Sequence, residues 1–414
     1  MIPLKKKPLI FQTDFLLFAL LTLALWIFLL YSVGHQIQDH SPHDVHTQQA
    51  NAWLQGRISL PQDIGHLELA FYRDNIYASF PPISTFMELP LAVFFGYNTP
   101  NTFELLLFSW LTMVFIFFIL FKLTENKTLS YLGAFAFLWG SNALWMSLEG
   151  AVWHQGHLFG LFFAVTAFFV LFYSQNIYLV GLGSFFLSCA VGGRPFYLFL
   201  IVFYFFQVYK KYPKLKSLII AAFGMVPMGA FYGIYNYIRF DSFFEFGHTY
   251  LPWSQELPDG VFSTAYFARN IKFATLEFPT VNSVYGFLDF HGRGTSVLVH
   301  SPFLLLSFLF FLRRESNIWE KLAGLASFIM IWGSLLMHES NGWYQFGYRY
   351  SVDLIPLFVV FFGLFFKKDT TLGFGPFVLK VQQRYSLVII VAVFSVIMNI
   401  YGAFWYYVLD RVAR

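Results

Sequence analysis

The sequence predicts an all-α fold, a polytopic transmembrane helical protein of about 11 spans, and three observations predict it. Only 12% of the 414 residues are charged and 57% are hydrophobic, whereas soluble domains carry about 25% charged residues. Exposed to water, so apolar a surface would aggregate. Apolar runs recur near 13–33, 103–121, 128–147, 153–174, 177–191, 195–209, 217–237, 296–312, 319–337, 351–366 and 384–408, most of them long enough to cross at 1.5 Å per residue. The basic residues between the runs also sort to alternate sides.

Sorting by charge sets the topology. A further run, 83–96, is shorter than a span needs and stands between Pro81-Pro82 and Gly96; it is read as lying along the membrane surface. The other eleven then cross. Lys5–Lys7, Lys122, Lys127, Lys210, Lys211, Lys214, Lys216, Arg313, Arg314, Lys321, Lys367, Lys368, Lys380 and Arg384 all fall inside, 16 of the 26 basic residues, as the positive-inside rule requires. The expectation is a multi-pass protein of the inner (plasma) membrane with a cytoplasmic N-terminus, Phe15 to Val33 being a retained signal anchor. All 11 histidines land outside. So do 17 of 22 acidic residues, the exceptions being Asp14, Glu125, Glu315, Glu320 and Asp369. A net charge of +4 is too small and too dispersed for a nucleic-acid partner. The single cysteine, Cys189, lies in an apolar run and excludes an intramolecular disulfide.

Residues 1–414 therefore read as one integral membrane domain with three extracytoplasmic segments, 34–102, 238–295 and 338–350. In the first, the candidate catalytic segment, His35, Asp39, His40, His43, Asp44 and His46 put four histidines and two aspartates into twelve residues. Such a cluster could bind a divalent metal, although its spacing matches no strong zinc pattern; no cofactor is required by the sequence. Residues 44–55 have helical composition, with Ala50, Trp53 and Leu54 on one face and Gly56 closing it. Asp44 then sits where a carboxylate caps a helix N-terminus, which is its plain structural role.

The other segments hold candidates for substrate binding. Arg239 and Arg293 are candidate phosphate clamps, or equally partners of Asp241 and Asp289; a planar guanidinium fork suits phosphate. Tyr344, Gln345 and Arg349 belong to an aromatic, amide-rich stretch of the kind that a sugar face needs. Arg349 and Asp353 are four apart at the mouth of an apolar run, where a charge must be paired or functional. Glu149, His154 and His157 fall on a hydrophobic background, the two histidines on one helical face.

Several motifs, in order, carry a resemblance. An Asp precedes an Ala/Leu helix that ends in Gly. Tyr77-x-x-Phe80-Pro81-Pro82 follows, then Gly193-Arg194-Pro195, then Tyr235-Asn236-x-x-Arg239-Phe240. Last comes Gly342-Trp343-x-Gln345-Phe346-Gly347-Tyr348-Arg349-Tyr350 with Asp353 and Pro356. Together they resemble the GT-C superfamily of membrane glycosyltransferases, in the bacterial branch similar to the dolichyl-phosphate-mannose and aminoarabinose transferases. The resemblance covers almost the whole chain. It implies an inverting transfer of sugar from a polyprenyl-phosphate donor to a hydroxyl of a glycan, lipid or protein acceptor, at the extracytoplasmic membrane boundary. It implies a first-loop acid as base, mapping to Asp44 with Asp39 as second choice; the residues read above as candidate substrate contacts are His154, His157, Arg239, Arg293, Tyr344, Gln345 and Arg349, with His46 beside them. The paired acidic motif of some members is absent. The competing classes are a lipid-linked sugar flippase or other transporter, and a non-catalytic membrane assembly protein; the lack of internal repetition argues against transport.

Overall fold

The computed structural model describes residues 13–65, 67–290, 292–367 and 385–409, and the backbone of 371–374 and 377–380. Lys5–Lys7, Lys368, Asp369 and Arg384 lie outside the described residues, as does the side chain of Lys380. In chain order the helices are α1 (Thr13–Ser32), α2 (Val45–Leu54), α3 (Ile83–Phe95), α4 (Asn101–Thr124), α5 (Lys127–Trp139), α6 (Ala143–Met146), α7 (Val152–Tyr173), α8 (Leu179–Val191), α9 (Ile201–Lys211), α10 (Leu215–Phe240), α11 (Phe267–Leu276), α12 (Val297–His300), α13 (Pro302–Leu305), α14 (Ile318–Leu336), α15 (Ile355–Phe365) and α16 (Tyr385–Phe404). The strands are few and short: the hairpin β1 (Leu69–Tyr72) with β2 (Asn75–Ala78), the pair β3 (Thr280–Val281) with β4 (Leu288–Asp289), and the parallel pair β5 (Arg293–Thr295) with β6 (Gln345–Gly347).

Six of the described helices are long and apolar enough to cross a membrane: α1, α4, α7, α10, α14 and the stretch Ser386–Leu409. This is a multi-pass helical membrane protein. The short run 83–96 becomes α3, thirteen residues long, started at the Pro81-Pro82 pair and ended by Gly96 at φ +57°. The runs 177–191 and 195–209 remain separate, as α8 and α9, because Gly192-Gly193-Arg194-Pro195 and the 3-10 turn Pro195–Leu200 break the helix between them. Run 296–312 departs from a continuous helix: Pro302 divides α12 from α13, and Leu306–Leu312 tightens into a 3-10 segment.

The centre of the bundle is α15. Every residue of Ile355–Phe365 is buried, and its Phe362 and Phe361 pack against Phe137, Phe303, Phe203 and Phe310. Around it α7, α8 and α10 approach closely through glycines. A Cβ on Gly193 would stand 2.9 Å from the Gly160 backbone and 2.8 Å from the Gly156 carbonyl, and one on Gly224 would meet the Gly181 carbonyl at 2.1 Å. Small residues let helix backbones pack at that distance inside a membrane.

The ion pairs bear on sidedness. Asp14–Lys127, Lys210–Glu320 and Arg313–Glu315 each join two residues assigned inside. Arg73–Asp241, Arg269–Glu339, Arg194–Asp353 and His157–Asp353 each join two assigned outside. None of these pairs links the two sets, although charge counting and folding are independent observations.

Because Gly193 faces backbone rather than a movable side chain, Gly193→Ala is expected to destabilise the fold by about 1–3 kcal/mol, the usual penalty for overpacking. A thermal melt of the purified protein checks this. An unchanged midpoint would show that α7 and α8 can separate at no cost.

Candidate functional site

The three segments read as extracytoplasmic converge on one cavity of about 330 Å³. Its wall takes Glu68 and Phe80 from the first segment, Trp153 and His157 from α7, and Arg194 from the α8–α9 break. Glu245, His248 and Trp253 come from the second segment, and His338, Trp343, Arg349 and Tyr350 from the third. Phe244 and Trp343 are 91% and 88% exposed, so large aromatic faces lie open at its rim. All of the ionisable lining residues belong to the side assigned outside.

Asp353 organises the cationic half. The carboxylate is fully buried; Oδ1 lies 2.7 Å from His157 Nδ1 and Oδ2 accepts from Arg194 Nε at 3.1 Å. The Arg194 guanidinium lies over the rings of Phe196 and Tyr350. Asp353 is thereby taken, and the Arg349–Asp353 pair that their spacing allowed does not form. Arg349 is only 5% exposed, and among the described residues its side chain makes one hydrogen bond, from Nη1 to the Trp343 carbonyl at 3.3 Å. Nε is buried without a partner, and no carboxylate forms an ion pair with it among the described residues. A buried cation with no counter-charge is costly; an anion in the cavity would satisfy it.

Glu68 is the first-segment carboxylate that reaches the cavity. Half-buried, it accepts from Trp153 Nε1 at 3.2 Å. The Ser79 hydroxyl donates to its main-chain carbonyl at 2.7 Å and so fastens Glu68 to the far end of the hairpin. Across from it, His248 Nδ1 meets the Ser79 carbonyl at 2.9 Å, which makes Nδ1 the protonated nitrogen and leaves Nε2 a free lone pair. Burial lowers the His248 pKa, opposed chiefly by the Glu68 carboxylate. Burial, then His248, lowers that of His338 to about 3. Both rings are neutral at pH 7.

Asp44 is placed elsewhere. It is the N-cap of α2: Oδ1 accepts from the His46 and Thr47 main-chain N–H groups at 2.8 and 3.2 Å. Oδ2 accepts from the Thr47 hydroxyl and from Asn101 Nδ2, the latter at 2.7 Å. The carboxylate is 1% exposed, its lone pairs are occupied, and it does not line the cavity. What it does is tie α2 to the start of α4. Beneath it Glu88 accepts from Thr47 and Gln155, and burial, then the nearby Asp44 and Glu104, raises the Glu88 pKa well above the carboxylate range.

The remaining sequence-derived candidates disperse. Asp39 holds the Gln36 N–H and faces His35. His46 meets the Thr85 hydroxyl at 2.9 Å, its pKa lowered to about 4 by burial. Arg239 bonds the Ala78 carbonyl and Asn236 and lies over Tyr235 and Phe240; Asp241 is held by Arg73 instead. Arg293 is exposed on β5. Tyr344 packs on Trp405 and Tyr406, and Gln345 is buried on the carbonyls of Arg293 and Asn341. His154 meets the Glu149 carbonyl and the Trp145 ring. Of the residues singled out beforehand, the cavity takes Arg349 and His157.

The histidine-rich segment does not gather around a point. His40 meets the Thr99 carbonyl and His43 lies on Trp153, and among the described residues no three His, Cys, Asp or Glu side chains stand where one metal ion could join them; His291 lies outside the described residues. Glu68, Arg194, Glu245, His248 and His338 line the cavity and were not among the sequence-derived site candidates. The signal available for Arg194 was a lone charge at the Gly-Gly-Arg-Pro break between two apolar runs.

No family model matches the chain, and no curated protein matches it in sequence. Solved structures do. ArnT, the aminoarabinose transferase from Cupriavidus metallidurans bound to undecaprenyl phosphate, superposes with a TM-score of 0.50 at 12% identity, over 84% of this chain and 59% of that one. The apo oligosaccharyltransferase of Archaeoglobus fulgidus gives a TM-score of 0.44 at 12% identity, over 94% and 56%. This chain thus spans well under two thirds of either protein. Its fold is GT-C-like.

Two outcomes follow from the buried polar layer. Asp44→Ala should lower stability by about 1–2 kcal/mol, the cost of losing a cap, while Asp44→Ser, which can still cap, should retain most of it; melting curves that rank the two equal would remove the capping role. Glu88→Gln should raise the melting temperature at neutral and alkaline pH. A raised folded pKa means that Glu88 destabilises as pH climbs above 4.5, the value of the unfolded chain. The advantage of the variant should vanish below that pH.

Proposed function

We propose that this protein is a membrane glycosyltransferase that uses a polyprenyl-phosphate-linked sugar and works in this cavity, at the extracytoplasmic face. The observation that carries the reading is Arg349, a buried guanidinium without counter-charge, beside Arg194 in a cavity rimmed by aromatic rings. Two guanidinium forks match phosphate oxygens, and open aromatic faces match a sugar ring. The GT-C-like fold agrees.

In this reading the lipid phosphate binds between Arg194 and Arg349, and Asp353 keeps the first of these in place. Glu68, rather than Asp44, accepts the proton of the acceptor hydroxyl as its oxygen attacks the anomeric carbon. The bond from that carbon to the phosphate oxygen breaks, and the lipid phosphate leaves with the electron pair, its charge stabilised by the two arginines. A single displacement inverts the anomeric centre. The acceptor is a hydroxyl of a glycan, lipid or protein. No metal is assigned a step, because the segment's histidines point to separate partners. Transport is disfavoured by the lack of internal repetition in the sequence.

Transfer from a radiolabelled polyprenyl-phosphate sugar tests this. Glu68→Gln should lower turnover by about 10²–10⁴-fold, the contribution of a positioned base, with donor binding retained. Arg349→Gln should weaken donor binding, and Asp44→Ser should remain active. Full activity in Glu68→Gln would take the base away from this residue; no label release by the wild type with any acceptor would end the enzymatic reading.

A further inference from the structure

A second polar depression lies on the opposite face. It is a cleft of about 580 Å³ between the α7–α8 connection and the α9–α10 turn, lined by Gln175, Asn176, Ile177, Lys211, Tyr212 and Lys214 with Pro213. Lys211 donates to the main-chain carbonyls of Leu171, Phe172 and Ser174, which fixes its charge at the end of α7. Lys216 donates to the Tyr178 hydroxyl at 3.1 Å and lies over that ring. Lys122 lies over the Tyr173 ring, and Lys214 is exposed.

Among the described residues none of these four lysines forms an ion pair with a carboxylate, whereas the neighbouring Lys210 does, with Glu320 at 2.6 Å. Burial, and next the Lys122 ammonium, lowers the pKa of Lys211; the group is crowded by like charge. Sidedness alone needs lysines in loops, but it does not need them gathered round a cleft without acids. Immediately beyond the cleft, Leu179, Leu182, Leu215 and Ile219 are exposed, so a greasy surface continues from the cationic one. That combination of a cationic hollow and adjoining bare aliphatic side chains fits a molecule with an anionic head and acyl chains.

We propose that this cleft binds the phosphate headgroup of an anionic phospholipid, at Lys214 in its lining with Lys122 and Lys216 flanking it, on the face opposite the cavity. The lysines hold the phosphodiester, and the exposed leucines and isoleucine carry the acyl chains. The site is independent of the glycosyltransferase reading and stands or falls apart from it.

The test uses full-length protein in nanodiscs of phosphatidylcholine with or without phosphatidylglycerol, and native mass spectrometry to count retained lipid. Wild type should retain phosphatidylglycerol over phosphatidylcholine. Neutralising the lysines (Lys122→Gln, Lys214→Gln, Lys216→Gln) should weaken retention by about fivefold for each one removed. Lys321→Gln, on the same face outside the cleft, should leave it unchanged. Should the triple variant fold poorly, Lys214→Gln alone carries the comparison, since that side chain is exposed. Equal retention by wild type and variant overturns the proposal. Displacement of the lipid by inorganic phosphate alone also overturns it, for it would make the cleft a site for a free anion.

Discussion

The two bonds of one buried carboxylate decide how the outer cavity can work. Asp353 has no solvent, and it spends both oxygens on His157 and Arg194. Taking away Arg194 would leave the carboxylate without a cation, a loss of about 3–5 kcal/mol in buried pairs. By engaging those two, Asp353 holds the α8–α9 break against α7 and leaves Arg349, four residues earlier, with no acid of its own. The unpaired charge of Arg349 at the cavity wall is therefore set by the fold and is not a surface accident.

The shape of the bundle serves this arrangement. Gly193, which presses on the backbone of α7, stands next to Arg194 in sequence, and the buried α15 follows directly on the turn that carries Arg349 and Asp353. Packing inside the membrane and charge at its edge are thus set by the same stretches of chain. Above them the β1–β2 hairpin presents Glu68, and Asp44 does the quieter work of anchoring α2 to α4.

Much of this was legible in the residues. Low charge and long apolar runs announce a helical membrane protein, and the ordered motifs point to the GT-C-like fold. The break at Gly192-Gly193-Arg194-Pro195 and the short helix Ile83–Phe95 appear where proline and glycine put them. The site was less legible. Asp44 has the residue type, the segment and the helix that a first-loop base would have, yet a carboxylate at a helix N-terminus looks the same whether it caps or catalyses. Glu68 carries no local signature; it reaches the cavity only because the hairpin folds back and Ser79 and Trp153 hold it. Arg239 sits in a motif-like stretch, but the Ala78 carbonyl and two aromatic rings absorb it. Arg239 and Arg349 both lack a carboxylate partner among the described residues, and which of them opens on the cavity is a property of three-dimensional packing, invisible in spacing.

The central claim is that Arg194 and Arg349 together face an anion. The most direct measurement is an electron cryo-microscopy map of the protein with undecaprenyl phosphate added. The account predicts density for the phosphate within hydrogen-bonding reach of both guanidinium groups, with Asp353 still bound to His157. Phosphate density beside Arg239 or Arg293, with the Arg349 side chain turned to a protein carboxylate, would contradict it.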